Sequence, residues 1–145
     1  MELYYTVSSG YNDIQSRVGN SLRGYKSSTL VRNDDLENLF GEISIRSVQV
    51  NRDEYMALVL YNNENDVTNI QCWFEFPENS QTTLQIGATL PTLDKNNNPV
   101  FERVNTVNSK PFTPKFIDAS QDNPALLGGL ESGKEMCLWF KRILN

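Results

Sequence analysis

The chain has 145 residues, the length of one ordinary domain, which buries about two-thirds of its unfolded surface without staples. Its net charge is −5, from 13 basic and 18 acidic residues, which gives no electrostatic reason to bind nucleic acid, whose phosphates want a basic face. There is no histidine, which excludes His-based triads and most zinc sites; the 2 cysteines, Cys72 and Cys137, fall in apolar runs and are expected as reduced core thiols.

At the amino terminus, Glu2 and the short run "LYYTV" lack the length and flanks of a secretory segment. No run approaches the ~18 apolar residues of a membrane span. "LYYTV" predicts a strand instead, being aromatic and β-branched. Residues 19–29, "GNSLRGYKSST", imitate a phosphate loop. Gly19 and Gly24 have the right spacing, but Tyr25 separates Gly24 from Lys26, and no buried strand precedes nor helix follows. The stretch reads as an irregular loop. Gly24 supplies a turn, Leu22 and Tyr25 tuck into the core or a partner, and Arg23 and Lys26 are solvated or meet a carboxylate of a neighbouring chain.

Leu36, Leu39, Phe40 and Ile43 recur at helical spacing, with Asp34 as a cap, Glu37 three residues on and Gly41 as a stop. They predict one short helix in the amino-terminal third. "SIRSVQV" is the next strand candidate. The clearest signal follows. "EYMALVLY" is a continuous apolar run of strand length, "NNEND" a turn cluster, and "VTNIQCWFEF" alternates, with Ile70, Cys72, Phe74 and Phe76 on one side and Trp73 the exception on the other. The pair reads as an antiparallel hairpin.

"TTLQIGATL", "PVFERV", "TPKFIDA" and "EMCLWFKRIL" add further strands, at spacings typical of a sandwich or barrel. "NPALLGGLESG" reads as a short turn, with Gly128 and Gly129 against a long helix. Between strands, Asp94, Asn96 and Asn98 match the opening ligands of a Ca²⁺ loop. Pro99 then stands where the sharp turn needs glycine, and Asn105 where a bidentate glutamate belongs, so a polar hairpin turn is the better reading. The serines Ser8, Ser9, Ser27 and Ser28 have no visible activating base.

Three stretches, "SLRGYKSSTLVRNDDLENLFGEIS", "EYMALVLYNNENDVTNIQCWFEFP" and "LESGKEMCLWFKRIL", together resemble a family of small virion proteins of tailed phages. The chain departs from that pattern at Arg23, where the family usually has glycine, and at Met56, where it usually has arginine. The resemblance implies a structural role in the particle. The expected fold is an all-β, Ig-like antiparallel β-sandwich as a single domain. Residues 1–33 are expected as an irregular region with one short strand, and residues 34–145 as the sandwich. The expected function is a non-enzymatic auxiliary or decoration protein, assembled in the host cytoplasm and bridging neighbouring capsid subunits in many copies. A tail or neck component, or a ligand- or carbohydrate-binding sandwich, is the alternative. No cofactor, metal, nucleic acid or membrane is expected; partners are capsid or other virion proteins, including further copies of the chain. Tyrosine and arginine favour interface centres. They single out Tyr11, Arg17, Arg23, Tyr25 and Lys26, with outward Trp73, as the partner surface.

Overall fold

The computed structural model describes residues 1–16, 21–22, 24–32, 53–75 and 83–143. Among them every regular element is a strand: β1 (Glu2–Val7), β2 (Tyr25–Leu30), β3 (Glu54–Tyr61), β4 (Val67–Cys72), β5 (Thr83–Thr89), β6 (Thr92–Leu93), β7 (Pro99–Val100), β8 (Ile117–Asp118), β9 (Ala125–Leu130) and β10 (Glu135–Ile143). The protein is all-β, and every strand pair is antiparallel. The main sheet runs β2-β1-β3-β10-β5-β8, and two small sheets pair β4 with β9 and β6 with β7.

β3 and β10 read as continuous apolar runs because both of their faces are covered. Their register fixes which residues share a face. Tyr61 lies opposite both Glu2 and Glu135, Val59 opposite Tyr4 and Cys137, and Ala57 opposite Trp139. Trp139 faces Gly87 on its other side, so the indole lies between two of the smallest residues and is fully buried. A Cβ on Gly87 would come within 2.9 Å of the Lys115 carbonyl oxygen, so glycine here lets residues 114–115 cross directly over the sheet. The opposite face carries Met56, Leu58, Met136, Leu138 and Phe140. Ile70, Cys72 and Phe74 pack against the core, Phe74 meeting Phe140 edge-on at 6.0 Å. At the sheet's end Arg142 answers Glu54 across the register, donating from Nε to Oε1 at 3.1 Å in a buried ion pair.

The alternation holds from Ile70 to Glu75 and breaks at Thr68 and Asn69, where the register slips. The expected hairpin does not form: β3 pairs with β1 and β10, and β4 with β9. The turn explains why. Fully buried Asn62 donates its side-chain amide to the carbonyls of Leu130 at 2.8 Å and Asn65 at 2.9 Å, and accepts from the Glu64 N–H at 3.0 Å. Those bonds steer the chain out of the main sheet and toward β9. "NPALLGGLESG" forms β9 rather than a turn. Gly128 has φ +81° opposite Ile70, where the register slips, so its glycine serves a bulge. "PVFERV" and "TPKFIDA" contribute only two-residue strands, β7 and β8. The expected helix at residues 34–43 and the strand "SIRSVQV" lie outside the described residues.

The amino-terminal region holds two strands where one was expected, and both belong to the main sheet. β1 leaves β3 after Tyr5, and Ser21 takes its place. The Ala57 N–H donates to the Ser21 carbonyl at 2.8 Å, while the Ser21 hydroxyl accepts from the Thr6 N–H at 3.0 Å.

Candidate interface

Lys26 lies on β2 opposite Thr6, and it points inward rather than into water: only 6% of the residue is exposed. Its Nζ sits 4.0 Å from the Tyr4 ring centre, 5.4 Å from that of Tyr61 and 5.5 Å from that of Tyr11. It donates to Asn12 Oδ1 at 2.5 Å and to the Ser27 carbonyl at 3.3 Å. The ring faces supply negative potential where water has been removed, a setting in which a cation–π contact is worth about 2 kcal/mol. Burial pushes the ammonium pKa down, while Glu135 and Glu2 pull it back up.

Glu135 is the acidic counterpart. Placed beside Tyr61 by the register, it is 3% exposed. Its Oε2 accepts from the Tyr11 hydroxyl at 3.2 Å, and its Oε1 has no hydrogen-bond partner among the described residues. Burial pushes its carboxyl up to about 7, against the Tyr11 hydrogen bond and the Lys26 charge, which both act downward. The Tyr11 phenol rises to about 12, first from burial and then from Glu135. The segment that carries Tyr11 is sewn to the outer edge of β2. Asn12 N–H donates to the Lys26 carbonyl at 2.8 Å, and Ser28 N–H to the Asp13 carbonyl at 2.9 Å. The cluster is therefore closed. The ammonium is held by its own chain, through two hydrogen bonds and three ring faces.

Tyr25 is likewise turned to its own chain. Its hydroxyl donates to Asp94 Oδ2 at 2.9 Å, and the Arg103 guanidinium lies 5.3 Å from its ring centre. Asp94 Oδ1 accepts from the N–H groups of Asn96 at 2.8 Å and Asn98 at 2.9 Å. The Asn98 bond leads in holding this carboxyl below its usual range. Asp94 Oδ1 is thus spent on the β6–β7 turn and Oδ2 on Tyr25 of β2. Among the described residues no cluster of three or more His, Cys, Asp or Glu side chains could hold a metal ion.

Of the expected interface residues, Lys26 and Tyr11 meet each other inside, and Tyr25 pairs with Asp94. Arg17 and Arg23 lie outside the described residues. Trp73, just past β4, is 41% exposed on the outward side of the small sheet. Leu126 shares that sheet, opposite Gln71, and is 73% exposed.

One outward residue had escaped the sequence reading. Phe112 is 95% exposed. The carboxylate of Glu102 accepts from its backbone N–H at 2.5 Å, and from the Thr113 N–H at 2.7 Å and hydroxyl at 2.6 Å. The available signal was "KPFTPK" itself: a phenylalanine bracketed by prolines and lysines, outside any alternating run.

Compared with family models, with curated proteins and with solved structures, the chain finds no match.

Proposed function

We propose that the protein is a non-enzymatic structural component of a tailed-phage virion. It is an Ig-like β-sandwich that decorates the capsid in many copies and bridges neighbouring subunits. The observation that carries this reading is the outward face of the β4–β9 sheet. Leu126 stands there on β9 and Trp73 one residue past the end of β4, and both are exposed. An aromatic and an aliphatic residue exposed at the same small sheet form the nucleus of a contact surface. The sandwich is supported by the packing of Ile70, Cys72 and Phe74 toward the core, and the virion by the resemblance of the three sequence stretches. Quantitative mass spectrometry of purified particles tests the reading. Copy number comparable to that of the major capsid protein supports it. A few copies per particle would move the protein to the tail or neck, and its absence would overturn the virion role.

Trp73 also favours one second reading. Gln71 and Glu75 lie exposed on the same side, so the indole could serve as a stacking platform for a sugar ring. Trp139 is buried, which makes Trp73 the fluorescent reporter. Saturable quenching by a soluble oligosaccharide, lost in Trp73→Ala, would favour this alternative.

A further inference from the structure

We propose that Phe112 is a preformed anchor that inserts into an apolar pocket, rimmed by carboxylates, on a neighbouring subunit of the particle. The inference rests on the virion reading and names the partner chemistry.

A single exposed apolar side chain is ordinary on a protein surface. The way this one is held is not. Pro111, on one side, is fully buried, and Pro114, on the other, is buried as well. Both rings fix φ and seat the ends of the turn. Between them Glu102 grips two successive backbone N–H groups and the Thr113 hydroxyl. Burial pushes the Glu102 carboxyl upward, but the bonds from Thr113 and Phe112 outweigh it and hold the group below its usual range, so the clamp stays charged at neutral pH. Gly87 lets residues 114–115 lie against the sheet. The backbone is thus pinned on both sides with the phenyl aimed outward. The entropy of ordering the turn is already spent before any partner arrives, which is what preorganised anchors exploit.

Charge sets the kind of partner. Lys110 and Lys115 are exposed on either side of the phenyl, and neither is paired with a carboxylate among the described residues. The chain as a whole carries −5. The Glu102 carboxylate beneath the turn is engaged by three hydrogen bonds, so the charges that flank the tip in sequence without a carboxylate partner among the described residues are the two lysines. They fit a pocket with an acidic rim, where complementarity is needed only within a Debye length of about 10 Å. An anionic bilayer is a poorer match. One phenyl and two lysines give one weak signal where stable membrane attachment takes two, and the acidic remainder is repelled.

The test uses particles that lack this protein, to which purified full chains are added back: wild type, Phe112→Ala, Phe112→Leu, Lys110→Glu/Lys115→Glu and Glu102→Ala. Each is first shown to be folded by circular dichroism. Wild type and Phe112→Leu are expected to bind, and Phe112→Ala to lose about tenfold or more in affinity. The charge-reversed pair is expected to bind weakly, with its salt dependence inverted or lost. Glu102→Ala should fall between wild type and Phe112→Ala, because the phenyl remains but its turn is released. If wild type and Phe112→Ala bind equally, the anchor is overturned while the virion reading stands. If wild type does not bind, that reading fails and the anchor with it. Phe112-dependent self-association on sedimentation, or Phe112-dependent pelleting with phosphatidylserine vesicles, would overturn the assignment in favour of a second copy or a lipid surface.

Discussion

Lys26 and Phe112 invert the usual rule of burial. The lysine is 6% exposed and the phenylalanine 95%. Lys26 tolerates enclosure because three tyrosine rings, an amide oxygen and a carbonyl replace the water it gives up. Phe112 remains outside because its backbone is clamped by Glu102 and seated by two prolines. What each residue type prefers mattered less than what its neighbours could satisfy. A region rich in tyrosine and lysine is thereby internal structure, and a short proline-bracketed turn is what holds a phenyl outward.

The sharpest way to break that contrast is to remove the first region. Deleting residues 1–32 takes away β1 and β2, the two strands on one side of β3, together with buried Tyr5, Val7 and Leu22. The shortened chain is expected to lose its cooperative melting transition by circular dichroism. A transition close to that of the full chain would make the region an arm after all. Next in size is Lys26→Ala, which removes the hydrogen bonds to the Asn12 and Ser27 oxygens and the positive charge that acts on Glu135. It is expected to destabilise by about 2–4 kcal/mol in urea unfolding. An effect within ~0.5 kcal/mol would place the lysine at the surface.

Glu135 sharpens the comparison through pH. Its carboxyl is raised from 4.5 to about 7 in the folded protein. Between those values the folded state holds a proton that the unfolded chain has released. The group's contribution to stability is therefore fully favourable below the unfolded value, declines as pH rises through the window, and is flat above it. Glu135→Gln cannot lose that proton. Relative to wild type it is expected to gain on the order of 2–3 kcal/mol between the two ends of the window, read as a growing difference in Tm. Parallel profiles would show that the carboxyl is hydrated. The smallest effect belongs to the second region. Phe112→Ala in the free protein should change unfolding by less than ~0.5 kcal/mol, since the phenyl lies almost wholly in water. A loss above about 1.5 kcal/mol would mean that the ring packs on the domain.

Strand identity was legible where one residue type dominated. "EYMALVLY" is β3 in full, and "EMCLWFKRIL" and "TTLQIGATL" contain β10 and β5. Pairing was not legible, because it depends on Asn62, whose side chain reaches Leu130 far along the chain. Nor was β9. Its two glycines argue against regular structure until the bulge at Ile70 supplies a use for the positive φ of Gly128. The amino-terminal residues Tyr11, Tyr25 and Lys26 were read by type, as a surface for a partner. Composition could not say that Tyr11, Tyr4 and Tyr61 would converge on Lys26 from three separate segments. Trp73 was readable because it broke an alternation, and Phe112 was overlooked because it belongs to none.

The most direct measurement is hydrogen exchange on the full chain, resolved by peptide. If β1 and β2 are part of the main sheet, their ladder amides exchange on the timescale of those in β3 and β10, and the Asn12 and Ser28 N–H groups that join residues 12–13 to β2 are also protected. Exchange of β1 and β2 at the rate of an unstructured peptide, while β3 and β10 remain protected, would contradict the account.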